Sequence, residues 1–181
     1  MKATLGSRLS LAGVLLAIFG LPETAPAQYR LPTLVSAVQA DSLHDAAAAL
    51  FVAAHRLRDA ARLHRRSAAL RAPDDPLGFR CLSEAAALAY FAGDRTGARA
   101  DMAEAAGQAL ARGDLRTAAL AYLDAAWIAQ EQKNPRQVWE LGHRAEMLAD
   151  SPLLGGSDRA AILQRIRRVP EAMRLAMRKE P

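Results

Sequence analysis

Alanine dominates this chain, and its abundance restricts how the chain can fold. About forty of the 181 residues are alanine, whereas aromatic residues make up only 5%. Alanine has the highest helix propensity and a very small side chain, so a core built from it needs helices that approach closely. No segment alternates apolar and polar residues as a half-buried strand does. The sequence therefore predicts an all-α protein.

Residues 1–27 have the organisation of a secretory signal peptide. Lys2 and Arg8 give a positive start, an apolar run follows at 9–21, and residues 25–27 read Ala-Pro-Ala, an A-x-A cleavage site. As a helix the apolar run would span about 20 Å, short of the roughly 30 Å hydrocarbon core of a bilayer. An uncleaved anchor helix is therefore the weaker alternative. We expect a periplasmic or secreted protein, cleaved near Ala27-Gln28.

Turn residues divide the rest of the chain into helices. Gly93-Asp94 and Gly113-Asp114 each place a glycine where a left-handed C-cap is favoured and an aspartate where an N-cap is favoured. Lys133-Asn134-Pro135 opens a further helix with proline in its first turn. These signals predict a lead-in segment over 28–40 and a helical domain over 41–150. Asp41 or Ser42 is the expected N-cap of the first helix in this domain.

The C-terminal segment, residues 151–181, is the most basic part of the chain. Its apolar residues recur at helical spacing between arginines, and Pro170 is expected to kink or restart the helix. We predict a helix that caps the open end of the helical domain. Contact with an anionic membrane surface or an acidic partner is the alternative.

Small residues recur around the turns of the helical domain. Around a first turn at His55, Leu57, Ala60, His64 and Ser67 stand two, five, nine and twelve residues later. Around the turns at Gly93 and Lys133 the corresponding helices carry Ala85, Ala86, Ala89, Ala98, Met102, Ala105, Tyr122, Ala125, Ala126, Ala129, Val138, Gly142 and Ala145. This arrangement resembles the tetratricopeptide repeat (TPR), in which a turn glycine is followed by a large, a small, an aromatic and a small residue at those intervals.

The sequence also departs from the TPR pattern. The three turns lie 38 and 40 residues apart instead of 34, two of them lack the glycine, and the aromatic position of the second helix is never aromatic. A competing frame on Gly113 matches at Leu115, Ala118, Tyr122 and Ala125. A plain antiparallel helical bundle therefore remains an alternative.

The TPR resemblance implies antiparallel helical hairpins stacked as a short right-handed solenoid. In that family the first helix of each hairpin lines a concave groove that holds an extended peptide or a partner helix. The residues that the resemblance places toward the groove are Arg80, Ser83, Tyr90, Leu123, Trp127 and Gln130. Tyr90 and Trp127 are the strongest candidates because amphipathic aromatic side chains are enriched in binding hot spots. The alternative for Trp127 is a place in the core.

The polar residues form no motif for catalysis, for a cofactor or for a metal. None of the four histidines has a second histidine four residues away, and the chain has no Gly-rich phosphate loop and no Gly-x-Ser-x-Gly turn. Cys81 is the only cysteine, so no intramolecular disulfide can form, and we expect it to be a small buried residue. His64 is expected to be a packed ring. We predict no enzyme activity, no cofactor and no metal.

A net charge of +5 over 181 residues is too small an excess to indicate nucleic-acid binding. Together these observations predict an exported, non-catalytic TPR-like protein that mediates protein–protein interaction in the cell envelope. The alternative is a small periplasmic helical bundle that binds a ligand or acts in envelope stress.

Overall fold

A computed structural model describes residues 34–54 and 56–178, and within the first helix the side chains of residues 38–50. The expected signal peptide, its cleavage site and the turn position at His55 lie outside the described residues. The described part of the chain contains helices and no strand, which confirms the all-α prediction. The helices are α1 (Leu34–Ala54), α2 (Leu57–Ala69), α3 (Pro76–Phe91), α4 (Arg95–Ala111), α5 (Leu115–Glu131), α6 (Pro135–Ala149), α7 (Gly156–Arg168) and α8 (Glu171–Arg178).

From α1 to α6, each helix packs against the next one along the chain. Side chains also connect alternate helices, which divides the stack into two layers. In the layer of odd-numbered helices, Tyr90 of α3 donates a hydrogen bond of 2.8 Å to Glu131 of α5. In the layer of even-numbered helices, Arg65 of α2 contacts Asp101 of α4. The helices thus form a stacked solenoid of antiparallel hairpins, as the sequence predicts.

The spacing of the helices explains why two repeat frames fit the sequence. Helices α4, α5 and α6 begin at Arg95, Leu115 and Pro135, so one helix and its turn occupy 20 residues. Alanines at this interval are all buried: Ala85, Ala105, Ala125 and Ala145 in one series and Ala89, Ala109, Ala129 and Ala149 in the other. The alanines of both series therefore lie on the buried side of their helix, and a hairpin of two helices repeats every 40 residues.

The turns have the chemistry that the sequence predicts. Gly93 and Gly113 have φ angles of +84° and +75°, the left-handed conformation that glycine adopts without steric cost. Lys133 occupies the same place in the next turn with φ of +54°. The side chains of Asp94, Asp114 and Asn134 then accept hydrogen bonds from the backbone three residues later, as N-caps do.

The first helix begins earlier than predicted. Residues 34–40, assigned to the lead-in segment, are helical, so Asp41 and Ser42 lie inside α1 and do not cap it. The reason is tertiary packing, because Ala40 is fully buried and its carbonyl accepts a hydrogen bond of 2.7 Å from Ser67 of α2. Asp41 instead forms an ion pair of 2.7 Å with Arg71.

The C-terminal segment closes the last part of the stack. It forms two helices, α7 and α8, interrupted at Val169-Pro170, where proline was expected to restart the helix. Met173 and Met177 of α8 are buried in the same apolar cluster as Val138 and Leu141 of α6. Most arginines of the segment stay at the surface, as a capping helix requires.

Candidate functional site

Trp127 lies in the C-terminal half of α5, on the side of the helix that faces solvent. Asp124, one turn earlier, accepts a hydrogen bond of 2.8 Å from Arg165 of α7, and Glu131, one turn later, accepts one from Tyr90 of α3. Residues three and four apart share one side of a helix, so Trp127 lies between the contacts that connect α5 to both neighbours in its layer. We call this surface of α3 and α5 the odd-layer face.

The indole of Trp127 is partly in solvent. The residue is 40% exposed, whereas Ala125, Ala126, Ile128 and Ala129 beside it in sequence are buried. The packing of α5 against its neighbours uses small alanine side chains and does not depend on a large side chain at its solvent-exposed side. Trp127 is therefore a surface aromatic and does not belong to the core.

An aromatic and charged cluster lies at the end of α3. The Arg95 guanidinium carbon lies 3.7 Å from the Tyr90 ring centroid, and the Phe91 ring meets Tyr90 edge-on at 5.8 Å. The hydrogen bond from the Tyr90 hydroxyl to Glu131 raises the pKa of this phenol above its usual range, because ionisation would place two negative oxygens together. Phe91 itself is 75% exposed. The odd-layer face thus carries two exposed aromatic side chains, Phe91 and Trp127.

The charges around these aromatics are compensated within the face. The ion pairs are Arg80–Glu84, Arg95–Glu131, Arg116–Asp158 and Arg165–Asp124. Paired surface charges contribute little free energy individually. They leave the face with no concentrated charge of one sign, so its distinctive feature is apolar.

The structure separates the six predicted groove residues into two groups. Tyr90, Trp127 and Arg80 lie at or near the surface of the odd-numbered helices, and Gln130 is half-buried. Leu123 is only 1% exposed and belongs to the core cluster. It cannot contact a partner because the neighbouring helices cover it. Ser83 donates a hydrogen bond of 2.9 Å from its hydroxyl to the Phe79 carbonyl of its own helix, so its donor is not available to a partner.

A second surface feature lies near the end of α6. A cavity of about 710 Å³ is lined by Leu110, Tyr122, Arg144, Met147, Leu148, Asp150, Ser151 and Pro152. Met147 is 62% exposed there. This surface provides an internal comparison for the odd-layer face because it also exposes apolar side chains.

Sequence reasoning missed one cluster of possible ligands. His44 of α1, His64 of α2 and Cys81 of α3 each offer a donor atom, and these atoms all lie within 4.8 Å of one another. Cys81 and His64 are buried, as expected, with 1% and 4% of their surfaces exposed. The three residues come from three helices, so no short sequence motif contains them, and only the packing of α1, α2 and α3 brings them together.

No helix in the described ranges, 34–54 and 56–178, is both long and apolar enough to cross a membrane. The class of protein that the fold defines is an all-α stacked helical solenoid. Comparison with known proteins finds no matching family model, no matching curated protein and no matching solved structure.

Proposed function

We propose that this protein is an exported, non-catalytic, TPR-like protein that binds a protein or peptide partner in the cell envelope through its odd-layer face. Export rests on the signal-peptide pattern of residues 1–27. Binding rests on one observation, the 40% exposure of Trp127 on an otherwise alanine-built helix. Tryptophan is the residue type most enriched in hot spots, where a few side chains dominate the binding energy.

The position of this face in the solenoid supports the proposal. Helices α3 and α5 are the first helices of their hairpins in the frame on Gly93 and Lys133, and they lie beside each other in one layer. First helices line the binding groove in TPR proteins. The same face therefore carries the exposed aromatics and corresponds to the groove of the family that the sequence resembles.

The chemistry of the face indicates what the partner supplies. Since the charges are paired within the protein, a partner gains little by bringing net charge. Apolar side chains of an extended segment or of a helix can cover Trp127 and Phe91, and the paired charges can form a polar rim. Binding should therefore weaken only slightly as salt concentration rises.

Affinity capture with a matched pair of variants tests the proposal. Tagged protein expressed from the full chain is used to capture partners from envelope extract, beside Trp127→Ala and Met147→Ala variants. Circular dichroism establishes that both variants are folded. We expect a partner bound by the wild type and by Met147→Ala, with affinity for Trp127→Ala reduced at least about tenfold, as for a hot-spot residue.

The opposite pattern would overturn the proposal. Loss of binding in Met147→Ala with full binding in Trp127→Ala would assign recognition to the cavity near α6. That cavity, lined by Tyr122 and Leu148 among others, is the feature that favours the alternative function, binding of a small ligand.

A further inference from the structure

Four side chains from the first three helices converge around one point. Glu84 of α3 places its Oε2 atom 3.5 Å from Nδ1 of His44 and 3.4 Å from Nδ1 of His64. The Sγ atom of Cys81, one turn before Glu84, lies 3.5 Å from Nδ1 of His44. Two imidazoles thus contact one carboxylate, and one of them also contacts a thiol, at the interface of α1, α2 and α3.

The buried histidine of this cluster is not satisfied by protein groups. His64 is 4% exposed, and its Nδ1 atom has no hydrogen-bond partner among the described residues, although it points to the Glu84 carboxylate. A buried polar nitrogen without a partner costs free energy. An ion bound between Nδ1 and the other three donors would remove that cost.

Three of the donor-to-donor separations match those of a tetrahedral metal site. Zinc bonds of about 2.0–2.1 Å to nitrogen and oxygen and about 2.3 Å to sulfur place neighbouring donors about 3.3–3.6 Å apart. The three distances that join Glu84, His44, His64 and Cys81 are 3.4, 3.5 and 3.5 Å. The donor atoms of His44, His64 and Cys81 all lie within 4.8 Å of one another, close enough to share one ion, and Glu84 contacts both histidines.

Neighbouring residues hold the donors in place. Arg80 donates from Nε to the other Glu84 oxygen, Oε1, at 2.9 Å, which leaves Oε2 directed at the histidines. Ser67 donates its hydroxyl proton to the Ala40 carbonyl, so its oxygen, 3.4 Å from Cys81 Sγ, accepts from the thiol in the metal-free protein and holds Cys81 in this position. Such outer partners orient ligands in metal sites.

We propose that His44, His64, Cys81 and Glu84 form a binding site for a divalent ion of the zinc class. The histidines bind as neutral imidazoles through Nδ1, Glu84 binds through Oε2, and Cys81 binds as a thiolate. Its thiol proton passes to solvent as the metal–sulfur bond forms. The thiolate and the carboxylate together balance the charge of the ion. Nitrogen and sulfur donors select against calcium and magnesium, which take oxygen ligands.

The site would connect three helices, α1, α2 and α3, through one ion. A bound ion ties α1 to α2 and α3, so metal binding stabilises the start of the solenoid. The proposal does not rest on the partner-binding function, because none of its observations involves Trp127 of α5, although Arg80 and Glu84 of α3 lie on the odd-layer face as well.

Cobalt(II) titration tests the site directly. Protein expressed from the full chain is stripped of metal with a chelator and titrated with Co²⁺, which reports tetrahedral geometry and thiolate ligation in its absorption spectrum. We expect one equivalent to bind with a thiolate-to-cobalt charge-transfer band and intense visible bands, and zinc to displace it. We also expect Zn²⁺ to raise the melting temperature.

Variants identify the ligands. Cys81→Ser and His44→Gln should abolish the cobalt spectrum and the shift in melting temperature. His143→Gln, which changes an exposed histidine outside the cluster, should preserve both. Circular dichroism establishes folding, and His44, at 23% side-chain exposure, provides the milder substitution should Cys81→Ser fail to fold.

Three results would overturn the proposal. These are no stoichiometric Co²⁺ binding by the wild type, a cobalt spectrum without thiolate ligation, and equal binding by the folded ligand variants. Binding of copper without binding of cobalt or zinc would overturn the assignment to the zinc class.

Discussion

The guanidinium of Arg65 in α2 places its Nε atom 2.8 and 2.9 Å from the two carboxylate oxygens of Asp101 in α4. Asp101 is 6% exposed, so Arg65 supplies most of the compensation for a buried charge. The hydrogen bonds to Asp101 also raise the pKa of Arg65, although its partial burial opposes this. The pair joins two helices that are not consecutive and is a direct contact within the even-numbered layer.

Removal of one side chain of the Arg65–Asp101 pair should destabilise the protein. We expect Arg65→Ala to lower the free energy of unfolding by about 3 kcal/mol, because Asp101 then stays buried without its cation. The double variant Arg65→Met, Asp101→Leu should recover most of this loss, since it removes both charges. Urea denaturation followed by circular dichroism measures both. A loss below about 1 kcal/mol for Arg65→Ala would contradict this view of the pair.

The buried carboxyl group of Asp101 should make the free energy of unfolding depend on pH. Burial raises its pKa above the usual value, an effect that Arg65 partly opposes and Asp94 reinforces. The folded state therefore retains this proton to higher pH than the unfolded state does. The stabilisation from Asp101 is complete below the unfolded pKa of about 4 and is lost as pH rises through the folded pKa.

A difference curve isolates this contribution from the other carboxylates. The free energy of unfolding of the wild type minus that of Asp101→Asn should fall as pH rises above about 4. Urea denaturation at a series of pH values gives the curve. A difference that rises over this window would show that Arg65 lowers the pKa of Asp101 more than burial raises it.

Lys133 occupies a turn position that favours glycine. At φ of +54° the backbone of Lys133 is strained, because its Cβ atom comes close to the carbonyl oxygen. Gly93 and Gly113 have no Cβ atom and occupy the equivalent turns without this strain. We expect Lys133→Gly to raise the free energy of unfolding by about 1 kcal/mol. Gly113→Lys should lower it by a similar amount, because no side chain lies within 4 Å of the added Cβ and only the backbone is affected. Thermal unfolding of the two variants compares these effects.

Leu123 and Trp127 should respond differently to truncation. Leu123→Ala removes a side chain from the core and should lower the free energy of unfolding by about 2–5 kcal/mol. Trp127→Ala should cost less than about 2 kcal/mol because much of the indole already contacts water. If the tryptophan variant were the less stable of the two, Trp127 would be a core residue and the odd-layer face would lose its main feature.

The fold was predictable where it depends on local chemistry. Gly93, Asp94 and their equivalents mark turns because left-handed backbone and N-cap hydrogen bonds require particular residue types. The start of α1 was not predictable in this way. Asp41 has the chemistry of an N-cap, but the burial of Ala40 against α2 continues the helix past it.

The candidate sites were predictable only in part. Leu123 and Trp127 lie one turn apart and differ by about 40° around α5, which decides between burial and exposure. Sequence periodicity does not resolve such a small angle at the edge of a core. The cluster of His44, His64 and Cys81 was beyond sequence reasoning because its spacings, 20 and 17 residues, are set by helix packing.

Photo-crosslinking from the odd-layer face tests the proposed function most directly. Ala87 is exposed on α3, on the side that carries Glu84 and Phe91, and Ala100 is exposed on α4 in the other layer. A photoreactive amino acid is placed at either position and irradiated in envelope extract. We predict a specific adduct from position 87 that disappears when Trp127→Ala is added, and none from position 100. Equal adducts from both positions, or an adduct at 87 that persists without Trp127, would contradict it.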